Sequence, residues 1–209
     1  MSSISAKKVK ELRDISGAGM MDCKKALTES NGELQKAMDF LRKSGIAKAQ
    51  KKAGREVKDG LITTYIHPGS KLGVMLEINC ETDFVAKTDA FQSLCKDIAM
   101  HIAAAAPVSV SKDEISKSVL SKEREIYAEQ AKASGKPDEI VNKMVEGRMD
   151  KFCKENALLE QQFVKDPNTT VKEVLTDTIA KLGENISIAR FMRFQLGETI
   201  STSNKENSE

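Results

Sequence analysis

Glu77-Ile78-Asn79-Cys80-Glu81-Thr82-Asp83-Phe84-Val85-Ala86-Lys87 is the stretch at which the hydrophobic period of the chain changes. Before it, residues 72–79 alternate, with Val74, Leu76 and Ile78 on one side and Gly73, Met75 and Glu77 on the other. That is the period of a half-buried strand. After it, Phe91, Leu94, Cys95, Ile98 and Ile102 recur at helical spacing and mark one face of a helix. Residues 81–87 are thus a strand-to-helix junction, a place where side chains are presented from a rigid base. Thr82 is the N-cap, and Asp83 lies in the first turn, where the helix dipole favours an acid. Carried backwards, the helix phase puts Phe84 two turns before Phe91 on the same face, so periodicity alone makes it a core residue.

Upstream, residues 61–67 alternate as a second strand, and Pro68-Gly69-Ser70-Lys71 turns the chain into residues 72–79, a β-hairpin. Before the hairpin come three short helices. The first is capped by Ser5, carries Val9, Leu12 and Ile15, and is broken at Gly17-Ala18-Gly19. The second covers residues 22–30 and ends at Asn31-Gly32; the third covers 33–44 and stops at Gly45. Lys48, Lys51, Lys52, Arg55 and Lys58 then make residues 48–58 a basic linker, diluted by Glu56 and without aromatics, which reads as a solvated tether.

Downstream, the helix after the junction ends at Pro107, residues 108–110 form a short extended piece, and two helices lie on either side of Gly135-Lys136. Leu158–Val164 is extended. Val171, Val174, Leu175, Thr178, Ile179 and Leu182 form the stripe of another helix, closed by Gly183, and residues 186–196 are the last strand. The organisation expected is α+β: a three-helix module at 1–46, a basic linker at 47–59, a core of antiparallel strands packed by helices at 60–198, and a disordered polar tail at 199–209.

At 209 residues, 31% charged and 4% aromatic, with a net charge of +2, the chain is sized for a sizeable core and is not a polyanion binder overall. No apolar run approaches the roughly 20 residues of a membrane helix, and the N-terminus carries no signal-peptide pattern. Cys23, Cys80, Cys95 and Cys153 have no regular spacing and read as reduced cytosolic thiols. His67 and His101 are the only histidines and lack ligand spacing, so no metal is expected. Gly17–Asp22 is a broken GxGxxG, and Gly135-Lys136 is followed by Pro137 where a phosphate loop needs Ser or Thr. No nucleotide site, and no cofactor, is expected. Cys80 has no histidine near it in sequence to activate it as a nucleophile.

Glu77–Lys87 resembles, throughout, the second signature of the translation elongation factor Ts family. Leu12-Arg13-Asp14-Ile15-Ser16-Gly17-Ala18-Gly19-Met20-Met21-Asp22-Cys23-Lys24-Lys25-Ala26-Leu27 resembles the N-terminal one, with Ser16 where the family usually has Thr. The resemblance implies a guanine-nucleotide exchange factor for the GTPase elongation factor Tu, cytoplasmic and without covalent chemistry. It implies a ubiquitin-associated-like (UBA-like) fold for the N-terminal helices. It also reverses the reading of Phe84: in the family an Asp-Phe pair, here Asp83-Phe84 flanked by Thr82 and Val85, projects from the core and enters the GTPase near the nucleotide's magnesium. The N-terminal module of the family grips the GTPase domain, which points to Met20 and Met21. Leu12 fits both that role and the helical core stripe. His101 reads as a helix-surface residue and a further docking candidate. The chain resembles the short form of the family, for which a homodimer is expected through under-covered sheet edges. Residues 48–58 keep open a different reading, a ribosome- or RNA-associated module, whose binding would be salt-sensitive.

Overall fold

In the computed structural model, which describes residues 4–133 and 137–198, helices and strands are mixed as an α+β chain. The helices are α1 (Ala6–Ser16), α2 (Met20–Glu29), α3 (Leu34–Gln50), α4 (Asp83–Ala86), α5 (Asp89–Ala105), α6 (Lys117–Lys132), α7 (Asp138–Asn156) and α8 (Val171–Leu182). The strands are β1 (Asp59–Ile66), β2 (Leu72–Cys80), β3 (Gln162–Phe163), β4 (Asp166–Thr170) and β5 (Ile186–Gln195). β1, β2 and β5 form a sheet in that order, and β3 pairs antiparallel with β4. Both neighbours of β2 run against it: His67 N donates to Leu72 O at 2.9 Å, and Leu196 N donates to Lys71 O at 2.9 Å. The polar tail at 199–209 and the Gly135-Lys136 turn lie outside the described residues.

The chain divides into two compact units, one of Met1–Leu61, Ile78–Cys95 and Glu173–Ser187, the other of Ile62–Glu77, Lys96–Lys172 and Ile188–Glu209. In the first unit, α1 starts as the sequence predicts. Ser5 Oγ accepts from Lys8 N at 3.3 Å, and Gly17 closes the helix in the left-handed region at φ +66°. Val9, Leu12, Cys23, Ala26, Leu27 and Ala37 bury the core of α1–α3.

Gly45 does not end α3. The helix runs through it to Gln50, and the glycine lies against α8: a Cβ at Gly45 would make a tight contact, 3.3 Å from the Cβ of Ala180. Arg42 pairs with Glu173 on the same side. A second glycine is set by close approach. Gly60 has φ +149°, and a Cβ there would lie 2.2 Å from Ile78 O, so β1 can meet β2 at this point only without a side chain.

In the second unit, α6 and α7 form a helical hairpin around Ala131, Val141, Val145 and Met149. The Arg148 guanidinium lies 5.7 Å from the centre of the Tyr127 ring, a cation–π contact. Residues 108–110 contribute an isolated bridge, Ser109 to Ala157, rather than a strand.

The sheet face in this unit that carries Ile62, Ile66, Met75, Met192 and Phe194 is open. These side chains are 52–66% exposed, and Arg190 Nε to Glu77 Oε2, at 2.8 Å, is the polar pair beside them.

Candidate functional site

The junction after β2 is two helices, not one. α4 is a single turn, Lys87 and Thr88 interrupt it, and Thr88 starts α5 afresh: its Oγ1 accepts from Phe91 N at 3.3 Å, and its O accepts from Gln92 N at 3.0 Å. The interruption breaks the phase that placed Phe84 under Phe91. Phe91 is fully buried, whereas Phe84 is 78% exposed, more than any other large apolar residue described. The core reading from periodicity is corrected accordingly. Val85 and Ala86 are the buried side of the turn, and Asp83 and Phe84 face outward.

The base of this projecting turn is fixed by polar contacts from distant sequence. Thr82 Oγ1 donates to Glu184 Oε1 at 2.7 Å, and Thr82 N donates to Glu184 Oε2 at 3.0 Å. Glu81 Oε1 accepts from Asn185 N at 2.6 Å and lies 3.5 Å from the Arg55 guanidinium. Asn185 Nδ2 in turn donates to Arg55 O at 2.8 Å. Sequence reasoning missed Glu184, Asn185 and Arg55, since nothing local marks a partner 102 residues away. The only hint was the left-handed Gly183 ending α8, which turns the next two residues back.

Asp83 is held in an exposed ion pair, Lys87 Nζ donating to Asp83 Oδ2 at 2.6 Å. The hydrogen bond from Lys87 holds the Asp83 carboxyl below its ordinary range and raises the Lys87 ammonium in turn. The pair is solvated, so Asp83 is free to exchange Lys87 for another partner at small cost.

The thiols of Cys80 and Cys95 are not activated. Burial, reinforced by the Glu184 carboxylate, pushes Cys80 up, and burial pushes Cys95 up to about 12. Among the described residues no group of His, Cys, Asp and Glu could hold a metal ion, and no helix is long and apolar enough to cross a membrane.

The N-terminal candidates separate. Met20 and Met21 are 47% and 75% exposed, and Ile15, 62% exposed, flanks the same Gly17–Gly19 turn. Leu12 is fully buried among α1–α3, so of its two readings the structure selects core.

His101 is corrected. It is not on the helix surface but buried, because the Gln161–Val164 segment covers that flank of α5. Val164 N donates to His101 Nδ1 at 3.1 Å, which leaves Nε2 as the protonated nitrogen, 2.9 Å from Gln161 Oε1. Burial lowers its pKa. Neither Leu12 nor His101 offers a side chain to a partner here.

Three of the five cations of the basic segment have acidic partners. Lys48 lies 2.7 Å from Asp22, Arg55 reaches Glu81, and Lys58 lies 3.1 Å from Glu56.

Comparison with known proteins decides the family. The family model described as elongation factor TS matches residues 4–198. The chain belongs to the elongation factor Ts family. Elongation factor Ts of Thermoanaerobacter sp. strain X514 is 57% identical over 203 residues, 97% of this chain and 100% of that protein. Elongation factor Ts of Geotalea daltonii is 58% identical, over 94% and 91% of the two chains, and that of Fervidobacterium nodosum 56%, over 93% and 99%. As a member of the elongation factor Ts family the chain is a translation elongation factor of protein biosynthesis.

Proposed function

We propose that the protein binds elongation factor Tu carrying GDP and promotes release of GDP and its exchange for GTP, with Asp83-Phe84 as the element that enters the GTPase near the nucleotide's magnesium. The observation that carries this reading is Phe84 itself, an aromatic ring 78% exposed on a turn whose neighbour Val85 is anchored at 9%. An apolar ring held in water gains by burial in a partner's cleft. Asp83 brings a carboxylate to the same cleft. Exchange by this route makes and breaks no covalent bond: factor and nucleotide compete through the GTPase's conformation, so their coupling is reciprocal. The chain itself binds no nucleotide.

The N-terminal helices dock the GTPase through the exposed Ile15, Met20 and Met21 beside the Gly17–Gly19 turn; methionines suit an adaptable contact. The domains act as a UBA-like docking module that runs to the end of α3 at Gln50, a linker up to residue 59 and an exchange core at 60–198. The protein works in the cytoplasm, and two copies pair through the open sheet face of Ile62, Ile66, Met75, Met192 and Phe194. Four of these five side chains stand on the edge strands β1 and β5, and their apolar surface lies on the face of the sheet. Binding to RNA through residues 48–58 is disfavoured by the acidic partners of Lys48, Arg55 and Lys58.

The deciding test is release of labelled GDP from purified elongation factor Tu with and without the protein. Acceleration that saturates with added protein supports the reading, and an unchanged release rate rejects it.

A further inference from the structure

The projecting turn is too short to hold itself. α4 has four residues, far below the length at which a helix is stable alone. Its backbone bonds are those of one turn: Ala86 N to Thr82 O, Lys87 N to Asp83 O and Thr88 N to Val85 O, at 3.3, 3.1 and 3.0 Å. Burial of Val85 and Ala86 anchors one side of it, and from distant sequence one carboxylate holds its cap. Glu184 takes both donors of Thr82, and the hydroxyl oxygen that donates to Glu184 also accepts from Val85 N at 3.5 Å. A hydroxyl has one proton and two lone pairs. With its proton committed to Glu184, the oxygen is left to accept from the turn. The cap is therefore oriented by Glu184, not by Thr82 alone.

On the other side of the same connection, Asn185 N fixes Glu81, and Asn185 Nδ2 ties in Arg55 O. Gly183, left-handed at φ +82°, turns the chain out of α8 so that these two residues meet the turn.

We infer that Glu184 is a positioning residue for exchange: its carboxylate fixes the cap of α4 so that Phe84 points outward in one direction. This rests on the reading of Asp83-Phe84 as the exchange element and adds what aims it. Released from Glu184, the turn keeps its residues but loses its direction, and an exposed ring with no fixed direction settles on the protein's own surface. Docking uses other residues, so the loss falls on release of GDP from the complex and not on formation of the complex.

The test uses the full chain and elongation factor Tu loaded with labelled GDP, with Glu184→Ala, Glu184→Gln, Phe84→Ala and the double variant Glu184→Ala/Phe84→Ala. Release at saturating factor should slow by about 10-fold in Glu184→Ala, with the half-saturating concentration within about twofold of the unaltered protein. Glu184→Gln, which keeps an acceptor for Thr82, should recover part of the rate. In the Phe84→Ala background, removal of Glu184 should add at most about twofold, because both act through one ring. Hydrogen exchange at the Thr82 amide should speed up in Glu184→Ala, since Glu184 is its acceptor.

An equal slowing by Glu184→Ala with and without Phe84 would overturn the inference, as would a change confined to affinity. So would a normal rate in Glu184→Ala when Phe84→Ala is slow. If Phe84→Ala releases GDP normally, the exchange-element reading fails and this inference falls with it; a faster Thr82 amide would then mark Glu184 as a structural clamp only. Should Glu184→Ala not fold, the same comparison with Glu184→Gln decides, at a smaller amplitude.

Discussion

Phe84 and Val85 are consecutive residues of one helical turn and lie on opposite sides of it, 78% and 9% exposed. The valine anchors the turn and the phenylalanine stands free. This division separates two costs that usually coincide at an aromatic residue, the cost to the fold and the cost to binding.

Phe84→Ala should therefore leave stability within about 0.5 kcal/mol, as for a surface site, rather than losing the roughly 3–5 kcal/mol of a core phenylalanine. Its effect should appear in exchange. Shifting a GTPase from almost wholly closed to almost wholly open takes about 5.5 kcal/mol of differential binding, and burying one Phe supplies about 1.5–3 kcal/mol. GDP release should slow by about one to two orders of magnitude while the complex still forms. Asp83→Ala should act no more strongly, and the double variant should fall short of additive. A thermal melt beside the release assay checks both halves.

His101 gives the fold a pH dependence with a defined sign. Its folded pKa is lowered from the ordinary 6.5, chiefly by burial, and the Val164 N–H aimed at Nδ1 excludes a second ring proton without rearrangement. The stabilisation is fully present above pH about 6.5 and is lost as pH falls from there through the lower folded value. Urea midpoints measured from pH about 7.5 to 5.5 should decline, and His101→Gln should flatten that decline while lowering stability at the upper end.

Gly60→Ala should be among the most damaging single changes in the sheet. The new methyl would meet Ile78 O at 2.2 Å and Asn79 Cα at 2.7 Å, both backbone atoms that cannot swing aside. A loss above about 3 kcal/mol is expected, seen as a melting temperature lower by about 6 °C or more. A melt within a degree or two of the unaltered protein would show that the β1–β2 approach has slack.

Pairing through the open sheet face predicts a specific disruption. Met192→Ser with Phe194→Ser removes two of its apolar groups without touching the buried side of β5. Sedimentation should shift from dimer to monomer, with the melting temperature of the monomer little changed by the substitutions themselves. A parent protein that already sediments at 23.0 kDa excludes pairing.

Much of this was legible in the sequence where local chemistry sets the outcome. The Ser5 cap, the left-handed glycines at Gly17, Gly32 and Gly183, and the β1–β2 hairpin all follow from residues near each other in the chain. The errors share another cause. Gly45 read as a stop, whereas α3 runs through it and lies there against Ala180 of α8. His101 read as surface because Gln161–Val164, which covers it, is 60 residues on. Phe84 read as core because one continuous phase was drawn across two helices, and only the family resemblance placed it outside. In each case a non-local partner outweighed a local pattern.

The contact between Thr82 and Glu184 also sets an order of events during synthesis. Thr82 leaves the ribosome 102 residues before Glu184, an interval of roughly 5–20 s at about 5–20 residues per second. Through that interval the Asp83-Phe84 segment exists without the carboxylate that fixes its cap. A nascent chain therefore has its docking helices long before its projecting turn is set, and that turn is completed only as β5 emerges.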